Sequence, residues 1–228
     1  MISGKPTLES MSLATSYNRW TLSLFNEYLK GEILEVGCGI GNFTKYLSSY
    51  GKVTAIDVEE EYINSLAKEN IKDVDCKTAD ISSKKFSIGK KFDVIICINV
   101  LEHIKDHKAA LKNMFKVLKE GGCLILLVPA HQFLYGEIDR NIQHYRRYEK
   151  KQLETLLQDA QFSINSIRKL NMLGAMGWFI AGKILKEKDI NEDKVKIFNF
   201  IAPPFLLIEK IMEPVIGTSL LTIAKKLK

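Results

Sequence analysis

The stretch Glu35-Val36-Gly37-Cys38-Gly39-Ile40-Gly41-Asn42 joins an apolar run to a helical one through three glycines at alternate positions. Glycines there permit positive φ and let backbone N–H groups approach a ligand closely. A dinucleotide site would also use such a loop, but its fingerprint is GxGxxG, with the third glycine where the helix packs on the strand. Here Asn42 holds that place and the third glycine is Gly41. Glu35 stands two residues before the first glycine. A pyrophosphate disfavours a carboxylate so close, whereas a ligand carrying an amino group and a sulfonium attracts one. The loop therefore argues against a nicotinamide oxidoreductase and for a cationic small ligand.

A second group of reactive side chains lies downstream. All four histidines (His103, His107, His131, His144) and three of the five arginines (Arg140, Arg146, Arg147) fall between positions 103 and 147. His103 and His131 follow apolar runs that read as strands, so both are candidates for a general base over a reacting group. His144-Tyr145-Arg146-Arg147-Tyr148 is a candidate acceptor-binding segment, because the planar fork of arginine suits phosphate or carboxylate. His103 and His107 are four apart and could share a helix face. Glu102 and Asp106 point elsewhere at helical spacing, so no metal site is expected.

These groups must be held by the elements around them. Apolar runs at Glu32–Gly37, Lys52–Asp57, Val74–Thr78, Phe92–Ile98, Cys123–Val128, Phe162–Leu170 and Thr218–Ala224 read as seven strands. Helical stretches at Asn42–Ser49, Glu60–Asn70, Ile104–Leu118 and Lys150–Ala160 alternate with them. That alternation predicts an α/β fold with a parallel sheet and helices on both faces. Ligands in such sheets bind beyond the carboxyl ends of the strands. The segment 171–217 is too long for a hairpin and reads as a helical insertion over that edge. The expected organisation is one domain over 1–228, with a core at 31–170, the insertion at 171–217 and a last strand at 218–228.

Composition sets the outer limits. The 228 residues are 46% hydrophobic and 26% charged, ordinary globular usage that excludes disorder. No apolar run reaches the ~20 residues a bilayer span requires. Met1–Ser10 carries no apolar core of leader length. The four cysteines (Cys38, Cys76, Cys97, Cys123) include no CxxC pair and read as reduced thiols. A cytoplasmic protein is expected. Net charge +6 favours anionic partners without choosing among them.

With these residues in view, the chain resembles the class I S-adenosylmethionine-dependent methyltransferases. ILEVGCGIGNFT is close to that family's first motif. Asp57 closes the second strand, Ala79-Asp80-Ile81 follows the third, Phe92-Asp93-Val94-Ile95 opens the fourth, and Asn99-Val100-Leu101-Glu102-His103-Ile104 follows it. Leu118-Lys119-Glu120-Gly121-Gly122 precedes the fifth, with Glu120 where the family usually has proline. The resemblance implies a Rossmann-like, seven-stranded sheet whose last strand is antiparallel, between strands five and six. It implies that Glu35 and the loop Gly37, Cys38, Gly39 and Gly41 hold the methionine portion of the cofactor. Asp57, beside Val58, would accept the ribose hydroxyls. Asp80 and Ile81 would meet the adenine, and Asn99 and Val100 would line the site near the methyl.

Ser16-Tyr17-Asn18-Arg19-Trp20, Val128-Pro129-Ala130-His131 and the segment 144–148 are also similar to a bacterial and archaeal subgroup loosely associated with glycan or lipid biosynthesis. Tyr17 and Arg19 join the candidate substrate residues on that basis. The acceptor implied is a small molecule, a sugar or a lipid-linked group, and an anionic one by the arginine cluster. A protein or nucleic-acid methyltransferase, or a module that binds the cofactor without turnover, stand as alternatives. Nucleic acid is disfavoured, since no Asp/Asn-Pro-Pro-aromatic follows strand four. The apolar insertion is expected to pack on the domain or a second subunit, or to rest in part on an anionic membrane.

Overall fold

The computed structural model describes residues 13–187 and 192–227. The leader reading at Met1–Ser10 and part of the insertion at 171–217 lie outside those residues. Seven strands form one sheet: β1 (Gly31–Val36), β2 (Gly51–Asp57), β3 (Val74–Thr78), β4 (Phe92–Ile98), β5 (Leu118–Pro129), β6 (Ser163–Leu170) and β7 (Ser219–Lys225). Their order is β3-β2-β1-β4-β5-β7-β6. The first five pair in parallel, while β7 runs antiparallel between β5 and β6. This is the expected Rossmann-like topology.

The central strands are apolar without alternation because both faces are covered. On one face Leu34, Ile95 and Leu126 meet Leu111 and Met114 of α4 (His107–Val117) and Leu153 and Leu157 of α6 (Lys150–Asp159). On the other, Ile33, Ile96 and Ile125 join Trp20 of α1 (Thr15–Ser23), Leu47 of α2 (Thr44–Leu47) and Leu66 of α3 (Glu60–Lys68). A short α5 (Glu137–Asn141) follows β5.

Two bounds differ from the sequence reading. Strand β5 begins at Leu118, not Cys123, because Leu118 already pairs with Phe92 and the Gly121-Gly122 turn is absorbed into the strand, with Gly121 at φ +73°. The helix after β4 begins at His107, not Ile104. Asp106 caps it by accepting from the Ala109 N–H at 3.0 Å, and Leu101–His103 forms a separate 3-10 turn.

The insertion folds as α7 (Met172–Phe179), extended by a π turn at Ile180–Ile184, then α8 (Glu192–Ile201) and α9 (Pro203–Ile211). Its anchor is a carboxylate. The buried Glu209 carboxylate of α9 accepts the Asn171 N–H (2.5 Å) and the Met172 N–H (2.8 Å) at the start of α7, where donors lack helical partners. Val195, Ala202 and Leu206 are buried beneath α8 and α9. Among the described residues no helix is long and apolar enough to cross a membrane.

Candidate active site

Because β1, β2, β4 and β5 are parallel, their carboxyl ends share one edge, and the loops that leave them enclose a cavity of about 1200 Å³. At one end stands the glycine loop. Gly37 lies at φ +74°, and a Cβ there would come within 2.2 Å of Val100, so only glycine fits. The Gly39 N–H donates to Asp57 Oδ2 (2.9 Å) and the Glu59 N–H to Asp57 Oδ1 (3.0 Å), which aims the carboxylate across the loop. Asp80 Oδ1 accepts from the Ser82 N–H (2.8 Å) and hydroxyl (2.7 Å). The Asn113 amide fastens that loop to α4 through the Ile81 and Ser83 carbonyls.

Glu35 forms the floor. It is buried, and Thr44 donates to its Oε2 at 2.6 Å. Burial raises its pKa from 4.5 to about 8, the Thr44 hydrogen bond opposes the rise and the charge of Asp57 adds to it. A carboxylate so desolvated lacks a counter-charge. Burial also raises the pKa of the Cys38 thiol beside it, so that residue is a neutral wall.

The other end is built from three distant segments. Asn99, at φ +52°, turns the chain out of β4 into the Leu101–His103 turn. The segment 144–148 lies beside the end of β5, with the Tyr148 N–H on the Pro129 carbonyl (2.9 Å) and the His131 N–H on the Tyr148 carbonyl (3.0 Å). His144 Nδ1 bonds Asp139 Oδ1 (2.9 Å). Arg147 Nε donates to the same oxygen (2.8 Å), and Gly136 N–H (2.9 Å) and Trp178 Nε1–H (3.1 Å) donate to Oδ2. Burial opposes ionisation of Asp139, but these partners hold its carboxyl below the usual range. Desolvation, then His144, lowers the His103 pKa to about 4. Burial lifts Glu102 to about 7, against the attraction of His144 and Arg147.

The residues present fit the cofactor. Glu35 meets the need of a sulfonium and an ammonium, Asp57 that of a diol, and Asp80 with the neighbouring Ile81 that of an amino-bearing aromatic edge. Glu35, Gly37, Cys38, Gly39, Asp57, Val58, Asp80, Ile81, Asn99 and Val100 all line the one cavity, as do Tyr17, His103, His144 and Arg147. The remaining candidates do not. Gly41 packs behind the loop, where a Cβ would lie 2.6 Å from Leu66. Arg19 is exposed on α1. His131 stands off the cavity with Nδ1 3.2 Å from Glu149. Tyr145 is exposed, and Arg146 donates to the Ile104 and Lys105 carbonyls. Tyr148 is fully buried, its hydroxyl between His107 Nδ1 (2.9 Å) and the Leu101 carbonyl (3.3 Å). Arg147, though at the cavity wall, spends its guanidinium on Asp139 and the Ala130 carbonyl.

Sequence reasoning missed Asp139, the hub of this end; the insertion it placed over the carboxyl edge supplies a wall here through Leu173, Trp178, Val195 and Phe198. An acid inside a cluster of scarce arginines was the available signal for Asp139.

A family model described as a methyltransferase domain matches residues 13–167, and the chain belongs to this family, as a class I S-adenosylmethionine-dependent methyltransferase. Among curated relatives, the ubiquinone biosynthesis O-methyltransferase of Rickettsia canadensis is 28% identical over 165 residues, 65% of this chain and 69% of that protein. The protein of the same name from Coxiella burnetii is 30% identical over 125 residues, 51% of this chain and 48% of that one. Among solved structures, the N-methyltransferase NodS of Bradyrhizobium japonicum with S-adenosyl-L-homocysteine has a TM-score of 0.60 at 18% identity, over 93% of this chain and 86% of that one. YcgJ of Bacillus subtilis has a TM-score of 0.62 at 16% identity, over 93% and 99%. S-adenosylmethionine, when bound, supplies a methyl group already activated on a sulfonium.

Proposed function

We propose that this enzyme transfers its methyl group to a hydroxyl oxygen of an apolar small molecule drawn from a membrane surface. The observation that carries the reading is the cover. Its inner face gives the acceptor end of the cavity an apolar wall, and its outer face is bare. Most exposed large hydrophobic side chains among the described residues lie on it, including Phe200 at 86% and Ile211 at 88% exposure. A patch of that kind marks an interaction surface. The relatives named as ubiquinone biosynthesis O-methyltransferases support the same acceptor type.

In this reading Glu35 and Asp57 orient the cofactor so that the methyl faces Asn99, and the apolar wall excludes water. In-line alignment at ~3–3.5 Å then supplies much of the rate. Glu102, His103 and His144 surround the position of the acceptor oxygen and raise its nucleophilicity, so the proposal keeps His103 and sets His131 aside. Arg146 and Arg147 serve Asp139 and backbone carbonyls, which favours a neutral acceptor over an anionic one.

The test is transfer of a deuteromethyl label from the cofactor into a membrane-lipid extract and a panel of phenols, read by mass spectrometry. Label in an ether of an extractable small molecule is expected. Label confined to protein or nucleic acid would overturn the reading.

A further inference from the structure

The acceptor end contains a group whose electrostatics are incomplete. Glu102, His103 and His144 each offer one ligand atom, and those atoms lie within 4.8 Å of one another. Glu102 is fully buried, and neither of its carboxylate oxygens has a hydrogen-bond partner. His144 Nδ1 bonds the ionised Asp139, so this ring nitrogen carries the proton. In the neutral ring that a metal ligand requires, Nε2 presents a lone pair, 3.7 Å from Glu102 Oε1. The ring of His103 packs edge-on to that of His144, with 4.6 Å between ring centroids. Acceptors face acceptors here, and a buried carboxylate without a partner is costly.

We propose that Glu102, His103 and His144 form a binding site for a divalent transition-metal ion. Two imidazoles and one carboxylate are a donor set for zinc, iron or manganese. Asp139 behind His144 makes the carboxylate–histidine–metal arrangement that fixes a ligand's tautomer. Zinc bonds of ~2.0–2.2 Å set neighbouring ligand atoms about 3.4 Å apart, so the cluster closes by side-chain rotation of about 1 Å. His103 is exposed toward the cavity, and all three residues line it, which leaves an open coordination position facing the acceptor.

The role of the ion rests on the hydroxyl acceptor proposed above. A hydroxyl bound to the cation loses its proton to solvent more readily. The oxygen lone pair then forms the O–CH3 bond as the S–CH3 bond breaks and its electrons return to sulfur.

The experiment uses chelator-treated full-length protein titrated with Co2+ as a spectroscopic probe and Zn2+ as competitor. One equivalent should bind with a visible d–d band and a raised melting temperature, and Zn2+ should displace it. E102Q and H144Q should each lower affinity at least tenfold, and D139N by ~10–100-fold. H131A, off the cavity, should leave metal affinity unchanged. Absence of a cobalt band in the wild-type protein at about 1 mM, well above the affinity of a built site, overturns the proposal and needs no variant. So does binding that survives both E102Q and H144Q. Cofactor affinity measured by calorimetry on the same samples separates failure of this site from failure of the transfer reading.

Discussion

Replacing Glu35 with glutamine should abolish a proton exchange that accompanies cofactor binding. The carboxyl is buried at the floor of the cavity, and that burial raises its pKa from 4.5 to about 8. At ~1.4 kcal/mol per pH unit, ionising it in the folded protein costs about 5 kcal/mol relative to the unfolded chain. The folded value lies above the unfolded one, so between them the folded state holds the extra proton. Stability therefore falls as pH rises from 4.5 to about 8 and levels off beyond. A sulfonium and an ammonium at the same carboxyl require its ionised form. Below the free-protein pKa, binding must expel that proton, and affinity should rise close to tenfold per pH unit up to about pH 8. E35Q should show neither the proton release nor the slope, and its ligand-free form should outlast the wild type at alkaline pH. Calorimetry at about pH 6.5 in two buffers of different ionisation enthalpy counts the protons. The difference between the two proteins cancels the ligand's own ionisations. Equal proton counts with parallel pH profiles would refute the assignment of Glu35 as the counter-charge.

Asp57→Ala removes a carboxylate whose hydrogen bonds to hydroxyls are worth ~1.5–3 kcal/mol each, so cofactor affinity should fall at least tenfold with the melting temperature little changed; calorimetry beside thermal unfolding checks both. Arg147→Ala leaves the Asp139 carboxylate buried without its ion-pair partner and should cost ~3–5 kcal/mol of stability, read from urea midpoints. A change confined to acceptor KM would instead assign Arg147 to the acceptor. Glu209→Gln keeps the shape but loses the charge that two N–H groups at the start of α7 address, and should destabilise by ~1–3 kcal/mol. Phe200→Glu with Ile211→Glu should abolish flotation with anionic vesicles at low salt while leaving cofactor affinity unchanged. Wild-type protein that fails to float would remove the membrane from the proposal.

The central strands were legible because their apolar runs are buried on both faces, as at Phe92–Ile98. Strand β3 is half exposed and showed itself only by its place between a helix and Asp80. The glycine-loop end of the cavity was readable because its lining residues come from single loops, each fixed by a strand end. At the acceptor end, one regular helix from Ile104 put Glu102 and His103 on divergent faces. The Asp106 cap breaks that helix, the 3-10 turn brings the two together, and His144 arrives from a segment that no helical spacing relates to them. Arginine scarcity located a special region but not its use. Nothing in composition tells an arginine that waits for a ligand from one closed onto an acid eight residues upstream.

The insertion leaves the sheet and returns to it at a single point. Leu170, the last residue of β6, is paired with Ser219, the first of β7. The Thr218 N–H and hydroxyl bind the Asn171 carbonyl, and Gly217 lies so close to the Leu170 backbone that a Cβ would stand 2.3 Å from its carbonyl oxygen. This clasp joins the ends of the insertion at the point where β6 and β7 pair, and Glu209 braces it from within the insertion. Loop-closure entropy depends only weakly on length, so segments of other sizes and sequences can occupy the span at little cost to the sheet. The joint between β6 and β7 is thus a fixed hinge point of the chain, and a cover of another length could hang from it with the strands beneath still paired.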